Sequence, residues 1–195
     1  MVYIKTYNPP EIDKKEILRY ARVGVLDEST GDLLDRLIDK TRNTLSYKVC
    51  YASYPISVDG ERIDLGFTVV ESHSLALCLK DCSEIILFCA TVGAEFDRRI
   101  KKYSLTSPSS AVILQALGSE RVEALCDAFC EDMKQQTNRS LCPRFSPGYG
   151  DLSLEVQRDI FAVLTPAKIG VSLSDNLFMT PSKTVTAIIG IKKEF

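Results

Sequence analysis

The clearest indication of the fold is the apolar run at residues 84–92, EIILFCATV, which is followed by Gly93. A continuous apolar stretch of this length, with no polar face, is typical of a buried strand. We predict that it forms the central strand of a sheet. A helix is expected to follow, from Ala94 through the adjacent Arg98 and Arg99.

Five other segments show the apolar periodicity of a helix. They are residues 13–22, 30–45, 72–79, 110–136 and 153–164. Asp13, Ser72 and Ser153 have side chains that can cap the first turns of their helices. Gly118 is expected to interrupt or weaken the 110–136 helix, and Pro166 is expected to end the last one.

Two segments with alternating polarity, residues 49–58 and 63–70, lie on either side of Asp59-Gly60. Asp-Gly is a frequent turn in two-residue hairpin loops, so we predict a β-hairpin here. Residues 184–193, TVTAIIGIKK, are also typical of a strand.

Length and charge limit the classes of function. A chain of 195 residues is long enough for one large core, and we expect a single domain over residues 1–195. The formal charge is −2, and Lys and Arg are scattered among acids, so we expect no nucleic-acid partner. The first residues lack the apolar core of a secretion signal, and no segment approaches the length of a membrane span. A cytoplasmic protein with no membrane contact is therefore expected.

The residues that usually carry catalysis are sparse. His73 is the one histidine, and it is expected at the surface or at a helix cap, with no G-x-S-x-G or comparable nucleophile elbow nearby. The seven cysteines are interpreted as small buried apolar residues, and no metal site is expected. Four acids of the long helix form one stripe: Glu120, Glu123, Asp127 and Glu131. We interpret three of these acids as part of a solvated face and keep Asp127 as the one candidate for a functional role.

The segment RFSPGYG, residues 144–150, combines several features of a binding loop. Pro143 and Pro147 restrict the backbone, so the loop should be stiff. Arg144 offers a planar fork suited to a carboxylate, and Tyr149 offers a flat face with a hydroxyl group. From the residues alone, the loop is either a small-molecule site or a tight structural turn.

The pattern R-x-x-x-G-Y, formed by Arg144, Gly148 and Tyr149, resembles the S-adenosylmethionine-binding signature of the activation domain of cobalamin-dependent methionine synthase. The resemblance extends downstream to residues 172–190, SLSDNLFMTPSKTVTAIIG. Upstream it includes CATVGAEFDRRI and ALGSERVEALCDAFCEDM. It covers roughly residues 80–190.

This resemblance implies a curved α+β domain with a mostly antiparallel sheet and flanking helices. It implies that Arg144 holds the carboxylate of S-adenosylmethionine, that Ser146 contacts it through the backbone, and that Gly148 and Tyr149 complete the wall. Asp127 would lie near the cofactor. No residue of the chain is expected to act as a catalytic acid, base or nucleophile.

The implied function is to support the reductive methylation of cob(II)alamin, with an electron from a flavodoxin-like donor. The D-x-H-x-x-G motif that binds the corrinoid in this family is missing, so cobalamin is expected on a separate corrinoid protein or on the remaining methionine synthase subunits. The family's N-terminal acidic contact and its tyrosine pair after the last strand also lack clear counterparts. Two alternatives remain: a module that docks to a corrinoid methyltransferase subunit without using S-adenosylmethionine, and an unrelated enzyme in which this loop is only a turn.

Overall fold

The structure, a computed structural model, describes residues 1–24 and 27–193. The elements in chain order are β1 (Tyr3–Thr6), α1 (Lys14–Tyr20), α2 (Glu28–Thr41), β2 (Lys48–Pro55), β3 (Ser57–Asp59), β4 (Arg62–Asp64), β5 (Val69–Glu71), α3 (His73–Leu79), β6 (Cys82–Thr91), α4 (Glu95–Thr106), α5 (Pro108–Thr137), α6 (Val156–Leu164), a 3-10 helix (Pro166–Ile169), β7 (Ser172–Leu173), β8 (Met179–Thr180) and β9 (Thr184–Lys192). None of the described helices is both long and apolar enough to cross a membrane.

The main sheet contains four antiparallel strands in the order β1-β2-β6-β9. The apolar run at residues 84–92 lies in β6, between two neighbouring strands, which confirms the predicted central strand. Side chains of a strand alternate between the two faces of the sheet. Phe88 packs into the core on one face, and Leu87 and Cys89 pack into the core on the other. The run is continuously apolar because both faces of β6 are covered.

Different elements cover the two faces. On one face, α1, α2, α4 and α5 pack over the sheet and supply buried side chains such as Ile17, Leu34 and Phe129. On the other face, α3, α6, the 3-10 helix and the small β3-β4-β5 sheet enclose a second core. The architecture is α+β with a mostly antiparallel sheet and flanking helices, as expected from the resemblance.

The predicted helices exist, but three details were wrong. The second helix runs over Glu28–Thr41 and not over residues 30–45, because Asp27 caps it through the backbone N–H of Thr30. The long helix α5 continues through Gly118, so the interruption is wrong, whereas a weakening of the helix stays a prediction. The last helix begins at Val156, and Ser153 accepts a hydrogen bond from the N–H of Glu155 in the preceding turn.

Other local predictions are confirmed. Asp13 caps α1 by accepting from the N–H groups of Lys15 and Glu16, and Ser72 caps α3. α6 ends at Leu164, and Pro166 begins the 3-10 helix that follows. The predicted C-terminal strand is β9.

A hairpin forms where it was predicted, but its turn is shifted by one residue, because Asp59 pairs with Arg62 and leaves Gly60 and Glu61 as the loop. Both predicted strands differ in extent, and the segment 63–70 forms parts of two strands, β4 and β5. β3 and β4 pair across Gly60, which has a positive φ of 60°. Residues 49–55, however, belong to β2 and pair with β1 and β6 in the main sheet. The alternating segment therefore serves two sheets, divided after Pro55. Strand β1 was not predicted.

Candidate functional site

The segment that contains Arg144 lies along the outer edge of β9. Leu141 and Phe145 form antiparallel bridges with Ile191 and Ile188. The Phe145 N–H donates to the Ile188 carbonyl at 2.9 Å, and the Ile188 N–H donates to the Phe145 carbonyl at 2.8 Å. These bonds satisfy the edge of the sheet and fix the backbone on which Arg144 is placed.

A tight turn follows at Gly148 and Gly150, which have φ values of 89° and 55°. The Tyr149 N–H donates to the Ser146 carbonyl at 3.1 Å. A Cβ on Gly150 would lie 2.7 Å from the Ser74 hydroxyl oxygen, so the turn packs closely against the start of α3. Glycine is needed here for both conformation and space.

A cavity of about 410 Å³ opens in front of this segment. The residues that line it are Glu123, Arg144, Phe145, Ser146, Tyr149 and Val185. Its volume is within the range of small-molecule sites. Tyr149 is 70% exposed, so its ring stands at an open mouth.

Arg144 is held by two carboxylates of α5. Its Nη2 atom lies 3.0 Å from Glu123 Oε2 and 2.9 Å from Asp127 Oδ1. Its Nη1 atom is buried and has no hydrogen-bond partner among the described residues. Burial opposes the positive charge, but Cys126, Asp127 and Glu123 favour it, and the pKa of Arg144 is raised overall. The arginine fork, which the sequence suggested would be open to a ligand, already has ionic partners.

Arg144 also borders a second cavity, of about 550 Å³. The other residues that line it are Asp127, Cys130, Glu131, Lys134, Leu141, Cys142, Pro143 and Ile189. Asp127 therefore faces this neighbouring space, whereas Glu123 faces the first cavity. The Arg144 guanidinium separates the two.

The structure brings Arg144, Ser146 and Tyr149 together around one cavity. Gly148 contributes by shaping the turn and does not line the cavity. Sequence analysis missed Glu123, which was assigned to a solvated stripe. The spacing of Glu123 and Asp127, four residues apart on α5, places both on one side of the helix and was the available signal.

Glu120 also departs from the predicted solvated stripe. Glu120 is 4% exposed, and its carboxylate is paired with Arg121, which is 1% exposed. Glu120 Oε1 accepts from the N–H of Asp13 at 3.0 Å, and Arg121 Nη1 donates to the Pro10 carbonyl at 2.6 Å. This pair fastens the N-terminal segment to α5. Its role is structural.

A larger cavity, of about 610 Å³, lies next to this pair and away from the Arg144 loop. Pro9, Pro10, Ile38, Leu45 and Leu117 supply much of its wall. The guanidinium of Arg121 at its base is already bonded to Glu120 and to two carbonyl groups. We place the candidate site at the smaller cavity, because Arg144, unlike Arg121, keeps one nitrogen, Nη1, without a hydrogen-bond partner among the described residues.

The seven cysteines are free thiols, and four of them are buried. Cys82 and Cys142 are close, with their Sγ atoms 3.4 Å apart, and burial raises the pKa of Cys82 to about 12. Over residues 1–24 and 27–193, no group of three His, Cys, Asp or Glu side chains is arranged to hold a metal ion. His73 is at the surface beside Glu61, as predicted.

Fold and site together define a class: an α+β domain whose edge strand carries an arginine loop and a small open cavity. No family model matches the sequence, and no curated protein sequence is significantly similar to it. The chain is similar in structure to the MetH reactivation domain, solved as a crystal structure bound to AdoHcy. The match covers 100% of this chain and 80% of that chain, with a TM-score of 0.71 and 15% sequence identity. The chain therefore has the fold of that reactivation domain.

Proposed function

We propose that the chain binds S-adenosylmethionine in the 410 Å³ cavity and supports the reductive methylation of cob(II)alamin on a separate corrinoid protein. The observation that carries this proposal is the meeting of Arg144, Ser146 and Tyr149 around one cavity. They meet in a chain with the fold of a domain that was solved with AdoHcy bound.

In this proposal Arg144 binds the carboxylate of the ligand. A guanidinium offers parallel donors that suit a carboxylate, and its Nη1 atom has no partner in the described part of the chain. The loop backbone at Ser146 supplies further polar contacts, and the exposed Tyr149 ring covers the ligand at the mouth of the cavity.

The protein contributes position and orientation. The sulfonium group of S-adenosylmethionine is already activated for methyl transfer, so no protein base is needed. A corrinoid on the partner protein would supply the nucleophilic cobalt, and a flavodoxin-like protein would supply the electron. The loop lies at the edge of the sheet, and the exposed Tyr149 stands at the mouth of the cavity, so the cavity is open to a partner protein.

Calorimetric titration of the purified chain with S-adenosylmethionine tests the binding step. Arg144→Ala should weaken binding by about 1.5 to 3 kcal/mol, or about ten- to a hundredfold, because one charged hydrogen-bonding group is lost. Arg158→Ala is the matched control, since Arg158 is also paired with a glutamate but lies outside the cavity. Equal effects of the two variants would contradict the assignment of Arg144.

The reactivation step has a spectroscopic test. The chain, S-adenosylmethionine, a reductant and a cobalamin-loaded corrinoid protein are mixed, and the absorbance of methylcobalamin is followed from a cob(II)alamin start. We expect its return only when the chain is present. No return with a partner that binds the chain would count against this function.

The ion pairs of Arg144 favour one alternative, a docking module that does not use S-adenosylmethionine. Glu123 and Asp127 give this arginine a structural role without any ligand. In that case a corrinoid protein would bind the chain with the same affinity whether or not S-adenosylmethionine is present. The calorimetric titration, repeated with the corrinoid protein, separates the two functions.

A further inference from the structure

We propose that Glu123 makes the candidate site selective for ligands with a net positive charge, so that S-adenosylmethionine binds more tightly than S-adenosylhomocysteine. This inference rests on the proposed function, because it concerns the same cavity. It assigns a specificity role to a residue that the sequence placed on a solvated face.

Negative charge exceeds positive charge around Arg144. One guanidinium faces two carboxylates, at 3.0 Å for Glu123 and 2.9 Å for Asp127. The three side chains together carry a net charge of −1 when all are ionised. No other described ion pair shares either carboxylate, so this excess negative charge is not neutralised within the cluster.

The two ligands differ by one charge at this site. S-adenosylmethionine has a carboxylate, an ammonium and a sulfonium group, which sum to +1. S-adenosylhomocysteine has a thioether in place of the sulfonium and is neutral overall. The net charge of the cluster and ligand together is therefore zero with S-adenosylmethionine, whereas it stays at −1 with S-adenosylhomocysteine.

The positions of the carboxylates identify Glu123 as the selective one. Glu123 lines the candidate cavity together with Arg144, whereas Asp127 lines the cavity on the other side of the guanidinium. When the ligand carboxylate binds Arg144, Glu123, which lies 3.0 Å from the same guanidinium, is next to the ligand's cationic groups. The side chain of Glu123 is 42% exposed and that of Asp127 is 73% exposed, so the interaction with Glu123 is less screened by solvent.

The experiment compares three ligands by calorimetry. They are S-adenosylmethionine, S-adenosylhomocysteine and sinefungin, which has an amine in place of the sulfonium and the same net charge as S-adenosylmethionine. The wild-type chain should prefer both cationic ligands to S-adenosylhomocysteine by about fivefold, which is the upper end expected for one partly exposed ionic contact. Raising the salt concentration should reduce this preference.

Glu123→Gln should reduce the preference to about twofold or less, because the charge is lost while the size of the side chain is kept. Glu131→Gln is the matched control. It removes a charge from the same helix at a position eight residues away, or about 12 Å along the axis, and outside the candidate cavity. Its preference should equal that of the wild type.

The outcomes distinguish this inference from the function on which it rests. If all three ligands bind and Glu123→Gln keeps the wild-type preference, the role of Glu123 is wrong and the binding function stands. If none of the ligands binds the wild-type chain, with or without a corrinoid protein, both are wrong. A circular dichroism melt of each variant confirms that it is folded, as expected for substitutions at partly exposed positions.

Discussion

Lys183 lies across α5 at Gly118, with its aliphatic chain in the space that a Cβ would occupy. A Cβ on Gly118 would be 2.8 Å from Lys183 Cε and 3.0 Å from Cδ and Cγ. Lys183 is only 9% exposed, its Nζ donates to the Ser119 hydroxyl at 3.1 Å, and burial lowers its pKa. Gly118 therefore serves the packing of the segment before β9 onto α5.

Gly118→Ala should destabilise the chain by about 1 to 2 kcal/mol, since the gain in helix propensity is smaller than the cost of displacing Lys183. In a Lys183→Ala background the same change should stabilise it by about 1 kcal/mol. Denaturant unfolding of the four proteins measures this coupling. Gly31→Ala on α2, where nothing lies within 4 Å, is the control and should be neutral or stabilising. An equal effect in both backgrounds would show that the contact carries no energy.

This contact also explains why Gly118 does not interrupt α5. Local propensity correctly ranks glycine as a weak helix residue, which is why an interruption or a weakening was expected. Lys183, which fills the space over Gly118, comes 65 positions later in the chain (183 − 118). Periodicity within one helix carries no information about that partner.

The buried pair of Glu120 and Arg121 gives a second prediction. Arg121→Met should destabilise the chain by about 3 to 5 kcal/mol, because the Glu120 carboxylate and two carbonyl groups lose their donor in a buried position. The free energy of unfolding in denaturant measures the effect. Arg36→Met on α2 is a suitable control, since Arg36 is exposed and, among residues 1–24 and 27–193, its side chain bonds only to the Asp32 carbonyl of its own helix. A loss below 1 kcal/mol for Arg121→Met would mean that the pair is not needed to hold residues 10–13.

The candidate site was predictable only in part, because one of its residues, Glu123, belongs to a different element from the Arg144 loop. Arg144, Ser146 and Tyr149 lie in one short segment, so any stiff turn would keep them close. Glu123 reaches Arg144 only because the segment follows the edge of β9, where α5 passes beside it. The sequence showed the acidic stripe but not which side of it met the arginine. The binding roles of these residues remain predictions.

Asp151 gives a prediction about pH. Its carboxylate accepts from the Ser72 hydroxyl at 2.6 Å and from the N–H groups of His73 and Ser74 at 2.7 and 3.2 Å. These bonds, led by the one from Ser72, hold the pKa of Asp151 well below its usual value. A lowered carboxyl pKa stabilises the folded state above the ordinary value of about 3.9 and loses that effect as the pH falls toward the folded-state pKa.

The wild-type chain should therefore be more stable than Asp151→Asn at pH 7, and the difference should shrink as the pH falls below about 4. Unfolding by denaturant at a series of pH values provides the measurement. Ser72→Ala should reduce the pH dependence that Asp151 causes, because it removes the leading donor. A difference between wild type and Asp151→Asn that stays constant from pH 7 to pH 3 would show that these bonds do not favour the charged form.

The close approach of Gly150 to α3 gives the last prediction. Gly150 and Gly170 both have positive φ values, 55° and 82°, which cost a residue with a side chain about 1 to 2 kcal/mol. Only Gly150 also has a neighbour in the way: a Cβ would lie 2.7 Å from Ser74 Oγ and 2.8 Å from Ser74 Cβ. Gly150→Ala should thus destabilise the chain more than Gly170→Ala, where nothing lies within 4 Å.

Gly150→Ala should also weaken binding of S-adenosylmethionine, since Tyr149 is on the displaced turn, while Gly170→Ala should leave the affinity unchanged. Thermal unfolding and calorimetry of the two variants separate conformational strain, which both share, from the displacement of the turn, which only one should show. Equal losses of stability in the two proteins would mean that the turn can move away from Ser74 at no cost, and that it does not set the position of Tyr149.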